Sequence, residues 1–390
     1  MTLFKLAFKN LMGAGIRTWL NVVVLSFSFV VIIWMQGLFK GMNNQATTAM
    51  IDTEYAGGQY WHENYDPYDL LTLQDAHGVL SEELKEMIQK NKATPILIIQ
   101  GTAYPQGRMM NLLIKGIDPG QKIISLPSYF LKKETENIPA VIGNRMSENM
   151  NLRVGDSVTL RWRDAKGTFD ARDATIVQVM RTTVQSIDQG QIWIPLERLR
   201  KLSRMKEEAT IVTVAQDITN PPEVPGWEFK DLDFLLRDIK QLVVSKTAGS
   251  SIFYVILLLL AMLAIFDTQV LSIFRRRKEI GTLMAMGFTR SKVIWLFTIE
   301  GAMHAVLAAL VAALYGVPFL TWFAKTGWAL PEAMDSYGFA IGEKLFPVYS
   351  AGLVIGTTIL VLVVTTIVSF LPTRKIAKLK PTDALRGKSS

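Results

Sequence analysis

The sequence predicts an α-helical membrane protein with four transmembrane helices and a large α+β extracytoplasmic domain between helices 1 and 2. Three observations lead there. Of 390 residues, 49% are hydrophobic and only 19% charged, and the mean hydropathy of +0.24 lies on the membrane side of globular composition. Four stretches, 18–39, 251–274, 293–316 and 348–371, are apolar over the ~20 residues that a helix needs to cross a hydrocarbon core. Basic residues gather at particular ends of these stretches, and about 210 residues separate the first from the second.

The first span reads TWLNVVVLSFSFVVIIWMQGLF, with Trp19 and Trp34 placed as interfacial anchors. Its length, and the lack of an A-x-A-like site after it, argue against a cleaved signal peptide. Lys5, Lys9 and Arg17 precede it. Arg275, Arg276, Arg277, Lys278, Arg290 and Lys292 lie between the second and third spans against the single acid Glu279. Arg374, Lys375, Lys378, Lys380, Arg386 and Lys388 follow the fourth against Asp383. The positive-inside rule places all three segments, and so both termini, in the cytoplasm. The formal charge of +8 is thus mostly topology, and nucleic acid is not an expected partner.

The expected order is a cytoplasmic amphipathic helix at 1–17, a span at 18–39, the extracytoplasmic domain at 40–250 and a span at 251–274. A cytoplasmic helix at 275–292, a span at 293–316, an outer loop at 317–347, a span at 348–371 and a cytoplasmic tail at 372–390 complete it. The loop carries Trp322, Trp328, Pro331 and Tyr337 and reads as re-entrant or interfacial. Within the large domain, residues 93–117 suggest two strands around a Pro-Gly turn, although short apolar runs are ambiguous. Residues 156–162 and 174–180 alternate β-branched side chains around a turn at 164–167. Ser81 caps a helix over 81–91, and residues 231–249 form a helix leading into the second span.

Function classes narrow quickly. With no cysteine, thiol catalysis, disulfides and cysteine-bound zinc or iron–sulfur clusters are excluded. The three histidines are scattered; His62, Glu63 and Asp66 in WHENYD lack a second histidine at helical spacing and read as a solvated loop, as does His77. No nucleophile–base pair indicates an enzyme, and no metal site is expected. Asp267 lies about 12 Å along the second span from the arginines at its end, at ~1.5 Å rise per residue. As an intramembrane acid it marks a buried partner or a functional position. Glu300 and His304, one turn apart, could pair with each other. Gly352 and Gly356 form a G-x-x-x-G that allows close approach of a span from this chain or from a partner.

The segment RRRKEIGTLMAMGFTRSK, 275–292, is the most informative. Ile280, Leu283, Met284 and Met286 make a short apolar helix that Gly287 can end in a left-handed cap, and such a helix suits docking in a groove of another protein. This segment, with Glu300-Gly301 after it, resembles the loop of the FtsX/MacB-type ABC transporter permeases, which include LolC/LolE-like lipoprotein-releasing subunits. The closing LPTRKIAKLKPTDALR, the stretch VIGNRMSENMNLRVGDSV at 141–158, IWIPLERL and the opening LFKLAFKNL resemble the same family.

The resemblance implies two paired permease subunits, as a homodimer or heterodimer, with two cytoplasmic ABC ATPases on their coupling helices. It places ATPase coupling on Arg277, Lys278, Glu279, Ile280, Gly281, Leu283, Ala285 and Gly287. The chain holds no G-x-x-x-x-G-K-[ST] P-loop, so ATP and Mg are expected on a partner ATPase, with no cofactor on this chain. That departs from the fused MacB arrangement. The expected location is the bacterial inner membrane, with membrane lipids and a periplasmic carrier or adaptor as further partners. The expected function is coupling ATP hydrolysis to motion of the extracytoplasmic domain, first for lipoprotein release. The alternatives are efflux of peptides or lipophilic compounds, or non-transporting regulation of an extracytoplasmic hydrolase or sensor kinase.

Overall fold

The computed structural model describes residues 7, 15–182, 184–329 and 344–374. The expected amphipathic helix at 1–17 and the tail at 372–390 lie largely outside them, as do Pro331 and Tyr337. The chain divides into two compact units, a helical one (residues up to 42, 243–328 and from 345) and an inserted α+β domain (43–242 with 329–344).

Among the described residues, four helices are long and apolar enough to cross a membrane. The first, α1, runs Ile16–Met50, well beyond the expected 18–39, because Lys40 to Met50 contain neither proline nor a capping break. Three helices of the inserted domain follow: α2 (Glu82–Gln89), capped by Ser81, α3 (Asn144–Met150) and α4 (Gln185–Asp188). Then come α5 (Leu196–Ser203), α6 (Leu232–Leu235), capped by Asp231, and α7 (Arg237–Arg275), the second apolar helix. The short α8 is Arg277–Ala285, and α9 spans Arg290–Thr326. The expected end at 316 is corrected, since α9 continues through Pro318 to Thr326, and 330–343 of the expected loop at 317–347 lie outside the described residues. Pro318 has no N–H for the Leu314 carbonyl one turn earlier, a loss that membrane helices tolerate, and the Thr321 hydroxyl donates back to the Val317 and Pro318 carbonyls. The last, α10, is Ala351–Thr373, capped by the Ser350 side chain.

The helical unit is packed by small residues and polar bridges. Ala305, Ala308 and Ala312 of α9 meet Val22, Leu25 and Phe29 of α1, Ala261 and Ile265 of α7 and Val361 of α10. Without a hydrophobic drive between helices in lipid, close approach and interhelical hydrogen bonds supply the association. Asn21 Nδ2 donates to Thr268 Oγ1 at 2.7 Å, and Thr357 Oγ1 to Gln36 Oε1 at 3.3 Å. Trp34, read as an interfacial anchor, stacks on Trp328 at 5.3 Å and meets Phe323 edge-on at 5.6 Å.

The inserted domain is built on eleven strands: β1 (Gln59–His62), β2 (Gly78–Val79), β3 (Ala93–Tyr104), β4 (Met110–Ile117), β5 (Ile138–Gly143), β6 (Ser157–Arg163), β7 (Phe169–Met180), β8 (Gln191–Pro195), β9 (Glu208–Ala209), β10 (Ile211–Val214) and β11 (Trp227–Lys230). The nine-stranded sheet runs β11-β1-β10-β3-β4-β8-β5-β7-β6, and β6 also pairs with β3. The last six strands therefore close into a ring. Closure is possible because β3 changes partner along its length, with Ala93–Ile96 on β10 and Gly101–Tyr104 on β6. The β3–β4 pair is the expected hairpin, turning at Pro105–Gly107.

Alternate residues of the strands fill two cores. Leu97, Ile99, Ile114, Ile142, Leu160, Trp162, Ile176 and Ile192 make one, closed by Leu196 and Leu199 of α5 and by Met146 and Met150 of α3. Ile96, Ile98, Ile117, Val141, Val177, Trp193 and Ile211 make the other, with Ala46 of α1 and Ile239 of α7. Burial on both faces explains why the start of β3 reads as an unbroken apolar run.

Candidate functional site

The elbow between the second and third apolar helices is the candidate site. After α7 the helical path breaks at Arg276, whose φ −96° and ψ 15° lie outside helical values. Nine residues later α8 stops in a double turn. The Gly287 N–H donates to the Met284 carbonyl at 3.1 Å and the Phe288 N–H to the Leu283 carbonyl at 3.0 Å. Gly287 adopts φ 97° there, a conformation a Cβ opposes. Thr289 then caps α9 by accepting from the Lys292 N–H.

One face of α8 is committed to its own chain. Ile280 packs with Ile273, Val293 and Phe297, all buried, and Leu283, Met284 and Phe288 close the cluster. Leu283 and Phe288 thereby make the apolar contact that accompanies such a cap. The other face, Lys278, Glu279, Thr282, Ala285 and Met286, is exposed, Met286 to 66%. Four of the eight residues assigned to coupling, Arg277, Ile280, Gly281 and Leu283, thus face inward or are half-buried. Sequence reasoning treated Met286 as part of the apolar side; it stands at the C-cap, where the helix turn carries it outward.

Arg276 locks this elbow. Its Nη1 lies 2.9 and 2.8 Å from the two carboxylate oxygens of Glu300, and its Nε and Nη2 each lie 2.6 Å from Glu279. The guanidinium also lies 4.8 Å over the Phe297 ring. Burial alone would push this guanidinium down, yet hydrogen bonds and charges from Glu279 and Glu300 outweigh it and hold it above its ordinary range. Hydrogen bonding to Arg276 in turn holds the Glu279 carboxyl below the usual carboxylate range. Reading 275–278 as topology-setting charge hid this role; the signal was an arginine three residues before Glu279, at the break that opens the short helix.

The pairing of Glu300 with His304 is corrected by the same geometry. The carboxylate is taken by Arg276, and His304 Nδ1 lies 3.0 Å from the Glu300 backbone carbonyl, so that nitrogen carries the proton and donates. Just beyond, Gly301 marks where three helices meet. A Cβ there would collide with Ser369 of α10 and approach Gln269 Nε2 of α7 to 2.9 Å. Ser369 and Gln269 are buried, and the residue after Glu300 must be small.

The other intramembrane candidates face outward. Asp267 is exposed on α7 and has no hydrogen bond or ion pair among the described residues. Around Gly352 and Gly356 nothing among the described residues lies within 4 Å of an added Cβ, so none of the described spans approaches them there. In the inserted domain His62 stacks edge-on against Trp227 at 5.7 Å and accepts from the Asn64 N–H, and the described residues hold no group of three or more potential metal ligands. His77, expected in a solvated loop, is instead paired through Nδ1 with Glu208 and through Nε2 with the Gln74 carbonyl. Sequence reasoning missed a cavity of about 480 Å³ beside the β3–β6 junction, lined in part by Tyr104, Met109, Arg161, Arg163 and Phe169.

Comparison with known proteins gives the elbow its context. Residues 251–381, which include α8, match the FtsX-like permease C-terminal family. Over these residues the chain carries an FtsX-like permease domain. It is 24% identical over 268 residues to an uncharacterized ABC transporter permease of Methanocaldococcus jannaschii, covering 65% of this chain and 64% of that protein. It is 28% identical over 160 residues to the macrolide export ATP-binding/permease protein MacB of Psychrobacter arcticus, covering 39% and 22%. The chain thus spans less than two thirds of either relative's length. Among solved structures, the periplasmic region of MacB from Actinobacillus actinomycetemcomitans matches 49% of this chain and 95% of its own at 10% identity and a TM-score of 0.33.

Proposed function

We propose that this permease takes the thrust of a separate ABC ATPase on the exposed face of α8 and converts it into motion of the inserted domain. The carrying observation is the elbow: a nine-residue helix that shows Lys278, Thr282, Ala285 and Met286 outward while Arg276 and Ile280 bind it to its own spans. An amphipathic helix docks through such an outward face. The Arg276–Glu300 link makes α8 and α9 respond together, and α7, one helix from Arg237 to Arg275, carries displacement towards the domain. In this reading the elbow and both termini are cytoplasmic, the inserted domain is extracytoplasmic, two permeases pair, and ATP and Mg are held by the ATPase.

The substrate is handled on the outer side, and two classes compete. Lipoprotein release is the reading of the family resemblance, whereas relatives named for macrolide export favour efflux of a lipophilic compound. The aromatic and arginine lining of the cavity at Arg161 and Phe169 suits an amphipathic molecule of either class.

The test is co-purification from the native membrane of the wild-type chain and of Met286→Asp. A P-loop ATPase retained by the first and lost by the second, at unchanged melting temperature, is the expected result. Equal retention by both sinks the docking assignment. Acylated proteins in the wild-type sample would restore lipoprotein release over efflux.

A further inference from the structure

The end of α1 is built unlike the other helix ends among the described residues. Residues Ile51–Tyr55 wind as a π-turn, closed by the Ala56 N–H on the Ile51 carbonyl at 2.7 Å. Such wide turns are rare and gather at functional positions. This one is gripped by the inserted domain on several sides. The Ser125 N–H donates to the Asp52 carbonyl at 2.6 Å, Gln59 Nε2 to the Glu54 carbonyl at 3.0 Å, and the Ser186 hydroxyl to the Glu54 carboxylate at 3.2 Å.

Glu54 also faces a cation inside the domain. Lys115 of β4 places Nζ 3.6 Å from Glu54 Oε1 and 5.1 Å from the centroid of the Trp193 ring on β8. The Lys115 side chain is 8% exposed and that of Glu54 17%. Burial pushes the Lys115 ammonium down, and Glu54 opposes that shift. Tyr55 and Tyr65 are the other titratable groups close to Glu54.

A buried ion pair contributes little net stability compared with well-packed apolar side chains of the same volume. What it adds is direction. Apolar packing of Ala46, Met50 and Ile51 against the second core would tolerate rotation of the helix end about its own axis. A charge pair with a defined partner does not, and fixing register is the best-attested use of such pairs.

We infer that Glu54 and Lys115 form a positioning joint that fixes the rotation of the π-turn against β4, so that displacement of α1 reaches the sheet undiminished. The inference rests on the proposed coupling of ATP hydrolysis to domain motion. Neither residue lines the cavity at Arg161 and Phe169; each acts through the turn it holds.

The experiment uses the full chain with its ATPase in nanodiscs. Because the chain has no cysteine, spin labels at Asn44→Cys, on α1, and Val154→Cys, between α3 and β6, report the joint directly. Lys115→Met or Glu54→Gln alone leaves a buried polar group unpaired at a cost that can unfold the domain, so Glu54→Leu/Lys115→Met is the decisive variant. With the joint intact, the distance distribution is narrow and the same with and without trapped nucleotide. In the double variant it broadens about twofold and the nucleotide-driven shift of Val154 relative to α9 falls roughly fivefold, the scale of coupling that such links carry. ATPase rate and melting temperature stay near wild type.

A double variant that keeps the narrow distribution, or that keeps full coupling with a broad one, overturns the joint. A second label pair, Val154→Cys with Leu314→Cys in α9, tests the underlying reading separately. If that distance ignores nucleotide in the wild type, the proposed function fails, and the joint is then judged on the width of the Asn44–Val154 distribution alone.

Discussion

Arg276 in the elbow and Lys115 in the inserted domain are both cations removed from water, yet they are held in different ways. Arg276 meets two carboxylates through four contacts of 2.6 to 2.9 Å and keeps some exposure. Lys115 is more deeply enclosed and has one carboxylate at 3.6 Å and an aromatic face. The planar guanidinium can satisfy two acids at fixed angles, whereas an ammonium on a flexible stem is a point charge. The difference teaches what each site can transmit. The arginine clamps two helices into one body, and the lysine sets the orientation of a turn that is otherwise held by apolar packing.

Breaking the tighter pair should have the largest effect. Glu300→Ala leaves Arg276 short of its buried partner, and removing one member of such a pair costs about 3–5 kcal/mol. Thermal melting of the purified permease should show a fall larger than for Glu279→Ala, whose carboxylate is half exposed. A Glu279 effect equal to that of Glu300 would mean that the clamp is held from the solvent side.

Gly301→Leu comes next, because its side chain must enter the space of Ser369 and Gln269. Overpacking of this kind costs about 1–3 kcal/mol. The companion Gly301→Leu/Ser369→Gly should recover part of the loss if the contact is the one described. No recovery in melting temperature would place the strain elsewhere.

Acid sharpens the comparison. Arg276 lowers the Glu279 carboxyl, so the stability from this contact is present above the unfolded value of about 4.3 and is lost as pH falls through the lower folded one. Lys115 has the same sign in a more alkaline window: burial lowers its folded value, so the ammonium costs the folded state stability at low pH, and that cost is relieved as pH rises through the lowered folded value. Melting curves from pH 7 to pH 3 should lose a component in the wild type that Glu279→Gln lacks. An identical acid limb in both would remove Glu279 from the clamp.

How far these features could be read beforehand follows from their range along the chain. Hydropathy and positive charge are local, so the four apolar helices, the strand pair at Ala93–Ile117 and the Gly287 cap were legible. The Arg276–Glu300 bond joins residues 24 positions apart whose separate roles, topology and intramembrane acid, each had a sufficient local explanation. The closed ring of strands depends on parallel β4–β8 and β5–β7 pairings and on β3 changing partners, and periodicity carries no record of these. Lys115 was invisible for the same reason: in NLLIKGI it reads as the polar member of an alternating strand, and nothing near it announces Glu54. The outward placement of Met286 was a matter of one residue at a helix end, where boundaries are least defined by pattern.

The smallest expected effect on the chain itself belongs to Asp267, and that makes it the sharpest contrast with the two buried pairs. Arg276 and Lys115 find their counter-charges inside this chain, whereas Asp267 stands exposed on an apolar helix without one among the described residues. Leu263, Leu271 and Phe274, also exposed, share its side of α7. Asp267→Asn breaks no contact seen in the chain, so the melting temperature of the dispersed single permease should move within the range of a surface substitution, about 0.5 kcal/mol. If α7 instead meets the paired permease, the same variant should change how much of the protein migrates as a pair in mild detergent, because an ionised acid in lipid is stabilised chiefly by a partner's donor. A large fall in the stability of the single chain with no change in pairing would show that Asp267 is satisfied within its own chain, and the outward reading of this helix face would have to be abandoned.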